Sequence, residues 1–71
     1  MPKVVCGPHQ IPFPTKRDAE LCYRKLLIQK FLETYKDDDY TAESLRHADN
    51  KTMLEYIRYM DPSFNIEIVY E

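Results

Sequence analysis

Cys6, His9, Cys22 and His47 are the residues whose types could hold a transition metal or activate a nucleophile. A zinc site gathers four such ligands, usually as two closely spaced pairs. Only Cys6 and His9, with two residues between them, have that spacing, whereas Cys22 and His47 lack close companions. Cys22 reads better as a small hydrophobe on a helix. The run Asp37-Asp38-Asp39 is the second cluster. Calcium loops alternate their oxygen ligands around a turn glycine and end on a distant glutamate, so three consecutive aspartates read as a solvated loop. Gly7 is the sole glycine, which excludes a glycine-rich phosphate loop. A nucleophile–base pair would have to be built on His9, in a turn, or His47, on the polar side of a helix. Both read as surface histidines. The expectation is no catalytic residue, no metal, no cofactor and no enzyme.

Phosphate binding has more to work with. Arg17 and Arg24 are seven residues apart on one helical stripe, and Lys3 and Lys16 fall near the same helix start. Tyrosines and phenylalanines are available for stacking on bases. Lys25 and Lys30 project elsewhere, so no continuous basic face emerges. Direct RNA or DNA binding through Lys3, Lys16, Arg17 and Arg24 is therefore the alternative function rather than the leading one. Charge is divided along the chain: residues 1–30 carry six bases against two acids, and residues 31–71 four bases against ten acids. The net charge of −2 argues against a general nucleic-acid coat.

These side chains must be positioned by few elements. Lys3 to Cys6 is short and β-branched, Gly7-Pro8 signals a turn, and Gln10 to Phe13 reads as a second strand. Pro12 cannot donate to a ladder, which assigns that strand to a sheet edge. Thr15 caps a helix, with Asp18 in its first turn, running from Lys16 to about Tyr35. At 100° per residue Ala19, Cys22, Tyr23 and Leu26 share one face, and Leu21, Ile28 and Leu32 lie nearly opposite, beside Phe31 and Tyr35. Two apolar stripes predict a central helix covered twice. The second cover is expected from a second helical region, through Leu45, Met53 and Ile57, with an interface to another chain as the alternative.

That region opens at Asp39 or Thr41, with Ala42, Leu45 and Ala48 as its apolar positions. A straight continuation would bury Asp49 without a partner, so a break is expected at Asp49-Asn50. Met53, Ile57 and Met60 then face inward until Asp61-Pro62 stops the helix. Phe64, Ile66, Ile68 and Tyr70 alternate with polar residues as a last strand, whose free edge could pair with another copy.

With 71 residues there is room for one domain, 1–71, with a thin core. No apolar run approaches the length of a membrane span, and the N-terminus lacks the features of a signal peptide. Cys6 and Cys22 accordingly read as reduced thiols, and the expected setting is the cytoplasm, the host's if the protein is viral.

The segment Ile11-Pro12-Phe13-Pro14-Thr15-Lys16-Arg17-Asp18-Ala19-Glu20 resembles the opening of the DCL (defective chloroplasts and leaves) domain. That family places a strand ending in Phe before a hydroxyl residue, a lysine, an acid and an alanine at a helix start. Asp39-Tyr40-Thr41 and Leu54 to Pro62 look like its later loop and second helix, extending the resemblance over residues 10–62. Met60-Asp61-Pro62 stands where the family usually has His-Pro. The resemblance implies a small accessory module near RNA or transcription machinery and carries over no catalytic residue.

The fold expected is α+β, in the order β-β-α-α-β, with a small antiparallel sheet packed on a long central helix. The function expected is a non-catalytic module that binds a protein partner of transcription, RNA or other nucleic-acid machinery, with a small viral inhibitor of host machinery as one version. Leu21, Ile28 and Leu32 are its candidate partner-binding residues, and a homo-oligomer is a further route to covering them.

Overall fold

Val4 and Val5 favour extended backbone, and Lys3–Cys6 forms the first strand, β1, in a computed structural model that describes residues 1–70. Gly7, at φ +60°, and Pro8 turn the chain into β2, His9–Pro12. Glycine is needed there because an L side chain resists positive φ. Ile66–Val69 forms β3. The sheet order is β2-β1-β3, with both pairings antiparallel, Val4 opposite Ile11 on one side and Ile68 on the other. Pro12 thus sits on an edge strand, as its missing donor requires.

Thr15 accepts the Asp18 N–H at 3.2 Å and caps α1, Lys16–Thr34. The chain enters this helix through Phe13, half-buried against the core, whose N–H donates to the Pro2 carbonyl at 2.8 Å. α2 spans Asn50–Met60 with Asp49 at its cap, so the helical region does break where a buried Asp49 would otherwise stand. α1 packs on the sheet through β1 and β3 and also on α2, and so is the central element.

The core joins Val4 and Ile66 from the sheet, Ala19, Leu27 and Phe31 from α1, Met53 and Ile57 from α2, and Leu45 from the connection. Several expectations are corrected here. Leu27, placed on neither predicted stripe, is the fully buried centre of α1, while Cys22, Tyr23 and Leu26 are only half-buried. Leu45, Met53 and Ile57 join Leu27 and Phe31 in one buried cluster, against which Ile28 and Leu32 also pack, while Leu21 of that stripe is exposed. Residues 42–47 form turns, not a regular helix: the Leu45 N–H donates to the Thr41 carbonyl at 3.1 Å, but the Arg46 and Ala48 N–H groups donate only three residues back, to the Glu43 and Leu45 carbonyls at 3.2 and 3.1 Å. Met60 ends α2 58% exposed, and β3 stops at Val69 with Tyr70 exposed beyond it.

Candidate protein-binding surface

Phe31 is the hub on which one wall of the molecule is built. It is buried on α1, and Tyr35, one helical turn later, stacks beside it with ring centroids 4.8 Å apart. Tyr40, delivered by the loop after α1, meets Phe31 edge-on at 5.0 Å and Tyr35 at 6.3 Å. Tyr56 from α2 lies 6.3 Å from Phe31. Such offset and edge-to-face pairs each add about 0.5–1.5 kcal/mol beyond the area they bury. The Tyr35 hydroxyl donates to the Tyr56 backbone carbonyl, tying α1 to α2. The Thr41–Ser44 turn fixes the chain on leaving Tyr40.

Around this hub opens a groove of about 490 Å³ lined by Tyr35, Tyr40, Tyr56, Tyr59, Asp38 and Glu55. Tyr40, Tyr56 and Tyr59 are 43, 51 and 83% exposed, so their rings present apolar faces to solvent. The Tyr35 hydroxyl is pushed above the ordinary tyrosine value, first by desolvation and then by Tyr40, Tyr56, Tyr59 and Asp38. A shallower recess shares Tyr40 and Asp38 and adds Asp39 and Ser44. The aspartate loop is thus an acidic border to an aromatic surface.

The residues singled out from sequence are distributed differently. Leu21, 58% exposed, and half-buried Ile28 and Leu32 line an open groove of about 380 Å³ with Ala42, Arg24, Lys25 and Gln29. The segment 38–44 contributes walls to both grooves. The four bases do not share one face. Lys3, adjacent in β1 to inward-facing Val4, belongs to the sheet face turned away from α1, and its ammonium donates to Gln10 Oε1 at 3.2 Å. The Lys16 ammonium lies 5.4 Å over the Tyr70 ring, and Arg17 is exposed. Arg24 is engaged within the fold, donating to Asn50 Oδ1 at 2.7 Å and to the Leu45 and Arg46 carbonyls at 3.2 and 2.9 Å.

The other candidate chemistries have these positions. Cys6 and Cys22 are free thiols, both half-buried and packed against the core. His9 and His47 are exposed. Among the described residues no three His, Cys, Asp or Glu side chains are grouped to hold a metal ion, and no helix is long and apolar enough to cross a membrane.

The tyrosine groove escapes sequence reasoning because its walls come from α1, the following loop and α2, separated by up to 24 positions. The available signal is Tyr56 and Tyr59, three apart on one helix and therefore neighbours on its surface. No protein-family model, curated protein or solved structure matches the chain.

Proposed function

We propose that this chain is a non-catalytic module that binds a protein partner through the tyrosine groove. The observation that carries this reading is the exposure of Tyr40, Tyr56 and Tyr59 around a buried aromatic hub. Tyrosines held by packing offer large contact area at little entropic cost, and they are enriched where partners dock. Leu21, Ile28 and Leu32 form the second contact strip, reached across the 38–44 segment. The DCL-like opening favours a partner from transcription or RNA machinery, and blocking such a partner by occlusion would suit a small viral inhibitor.

The test is affinity capture from native extract, with and without nuclease, comparing the parent protein with Tyr59→Ala and Leu21→Ala. The expected result is a defined polypeptide retained by the parent and lost with Tyr59→Ala, and weakened with Leu21→Ala, both variants remaining folded. Retention that disappears on nuclease treatment would support the alternative, direct RNA or DNA binding, and would overturn this one. That alternative also requires an affinity falling steeply with salt, unlike an apolar interface.

A further inference from the structure

We infer that the tyrosine groove receives an arginine side chain from a basic segment of the partner protein, its guanidinium lying on exposed tyrosine rings between Asp38 and Glu55. The inference rests on the protein-binding reading and names the chemistry of what is bound. Three observations carry it. The groove is electronegative in its lining: two carboxylates and the faces of four tyrosines, with no lysine, arginine or histidine among the described residues that line it. The neighbouring recess continues the same sign through Asp38 and Asp39. A cation over a tyrosine face is attracted by the ring quadrupole, and a carboxylate at the rim adds a charge-assisted hydrogen bond.

The third observation separates guanidinium from ammonium. Tyr35 and Tyr40 meet edge-to-face, with centroids 6.3 Å apart at 73°, and Tyr40 and Phe31 at 5.0 Å and 89°. Tyr35 and Tyr40, in mutual contact, leave no slot between their two rings for a spherical methylated ammonium. What the groove offers is open ring surface, chiefly on Tyr56 and Tyr59. A planar, weakly hydrated guanidinium stacks on such a surface and directs in-plane donors to carboxylates beside it. An ammonium is more strongly hydrated and lacks the flat face.

The experiment is a titration of isotope-labelled protein with N-acetyl-arginine amide, observed by NMR, alongside the matching lysine, citrulline and choline probes. The expected result is saturable shifts confined to Tyr35, Asp38, Tyr40, Glu55, Tyr56 and Tyr59 with the arginine probe. Lysine and choline should bind several-fold more weakly, and citrulline, isosteric but neutral, should give none. Glu55→Gln and Tyr59→Ala, whose dispersed spectra would show that they fold, should each weaken the arginine probe several-fold. Absence of groove shifts at tens of millimolar, equal response to citrulline, or equal response to lysine or choline would overturn the inference. If partner capture still depends on Tyr59 in that event, the protein-binding reading stands and only the arginine assignment falls.

Discussion

The Arg24 guanidinium reaches from the middle of α1 to Asn50 at the start of α2, donating to its Oδ1 at 2.7 Å. The same group serves the Leu45 and Arg46 carbonyls, so one side chain organises the whole approach to α2. Two carbonyls of the 42–47 turns, those of Leu45 and Arg46, thus find a donor on α1.

Arg24→Ala should therefore destabilise the fold by about 2–3 kcal/mol, in the range of hydrogen bonds from a charged donor to partly buried acceptors. Arg24→Lys should recover only part, because an ammonium lacks the fixed fork that addresses several acceptors at once. Denaturant unfolding of the three proteins checks this. Equal midpoints would show that the staple carries no stability.

Leu27→Ala should cost about 2–5 kcal/mol, the range for a leucine truncated in a close-packed core. Leu21→Ala should stay within about 0.5 kcal/mol, as exposed substitutions do. The same unfolding measurement separates them, and similar losses for both would contradict the placement of the core on Leu27.

The contrast between those two leucines shows what the sequence does and does not disclose. Element order was legible because local chemistry marks it: Thr15 caps, Pro12 assigns an edge, Asp61-Pro62 stops a helix. The core face of α1 was not, because apolar residues surround this helix and periodicity alone cannot choose among its sides. Leu27 falls between the two predicted arcs and belongs to neither. Met60 was assigned inward by helical phase, but the helix ends at that residue and the chain turns away to Phe64. Phe31 and Tyr35 are one helical turn apart, but the arrival of Tyr40 and Tyr56 on Phe31 is a tertiary relation that no spacing betrays.

Asp61 lies 3.4 Å from the Lys30 ammonium and accepts the Ser63 hydroxyl at 2.8 Å. The Ser63 bond, chiefly, and Lys30 hold its carboxyl below the usual range, against an opposing effect of desolvation. The unfolded chain thus binds that proton more tightly than the folded one. The resulting stabilisation is complete above the ordinary carboxylate value of about 4 and is lost as pH falls through the folded value. Asp61→Asn should be less stable than the parent at about pH 6, with the gap closing as pH falls below the ordinary carboxylate value. Urea midpoints across that range check it, and a gap independent of pH would contradict it.

Tyr35→Phe removes the hydroxyl bonded to the Tyr56 carbonyl and should lower the unfolding midpoint. Desolvation and the surrounding tyrosines raise the Tyr35 value, so its folded-state proton is held more tightly and its stabilising effect is lost as pH rises through that value. Burial also raises Tyr23 and Tyr70, so spectrophotometric titration of the phenolates should show a late-ionising phase that shrinks by one tyrosine in Tyr35→Phe. An unchanged late phase would assign it elsewhere.

The most direct test of the docking surface is calorimetric titration of the captured partner against the parent protein and the Tyr56→Ala, Tyr59→Ala double variant. Both must first show unfolding free energies matching within about 1 kcal/mol, since these residues are half or more exposed. Loss of two central aromatic contacts should weaken binding at least about tenfold, equivalent to roughly 1.4 kcal/mol. Equal affinity for the two proteins would contradict the claim that the tyrosine groove is where the partner binds.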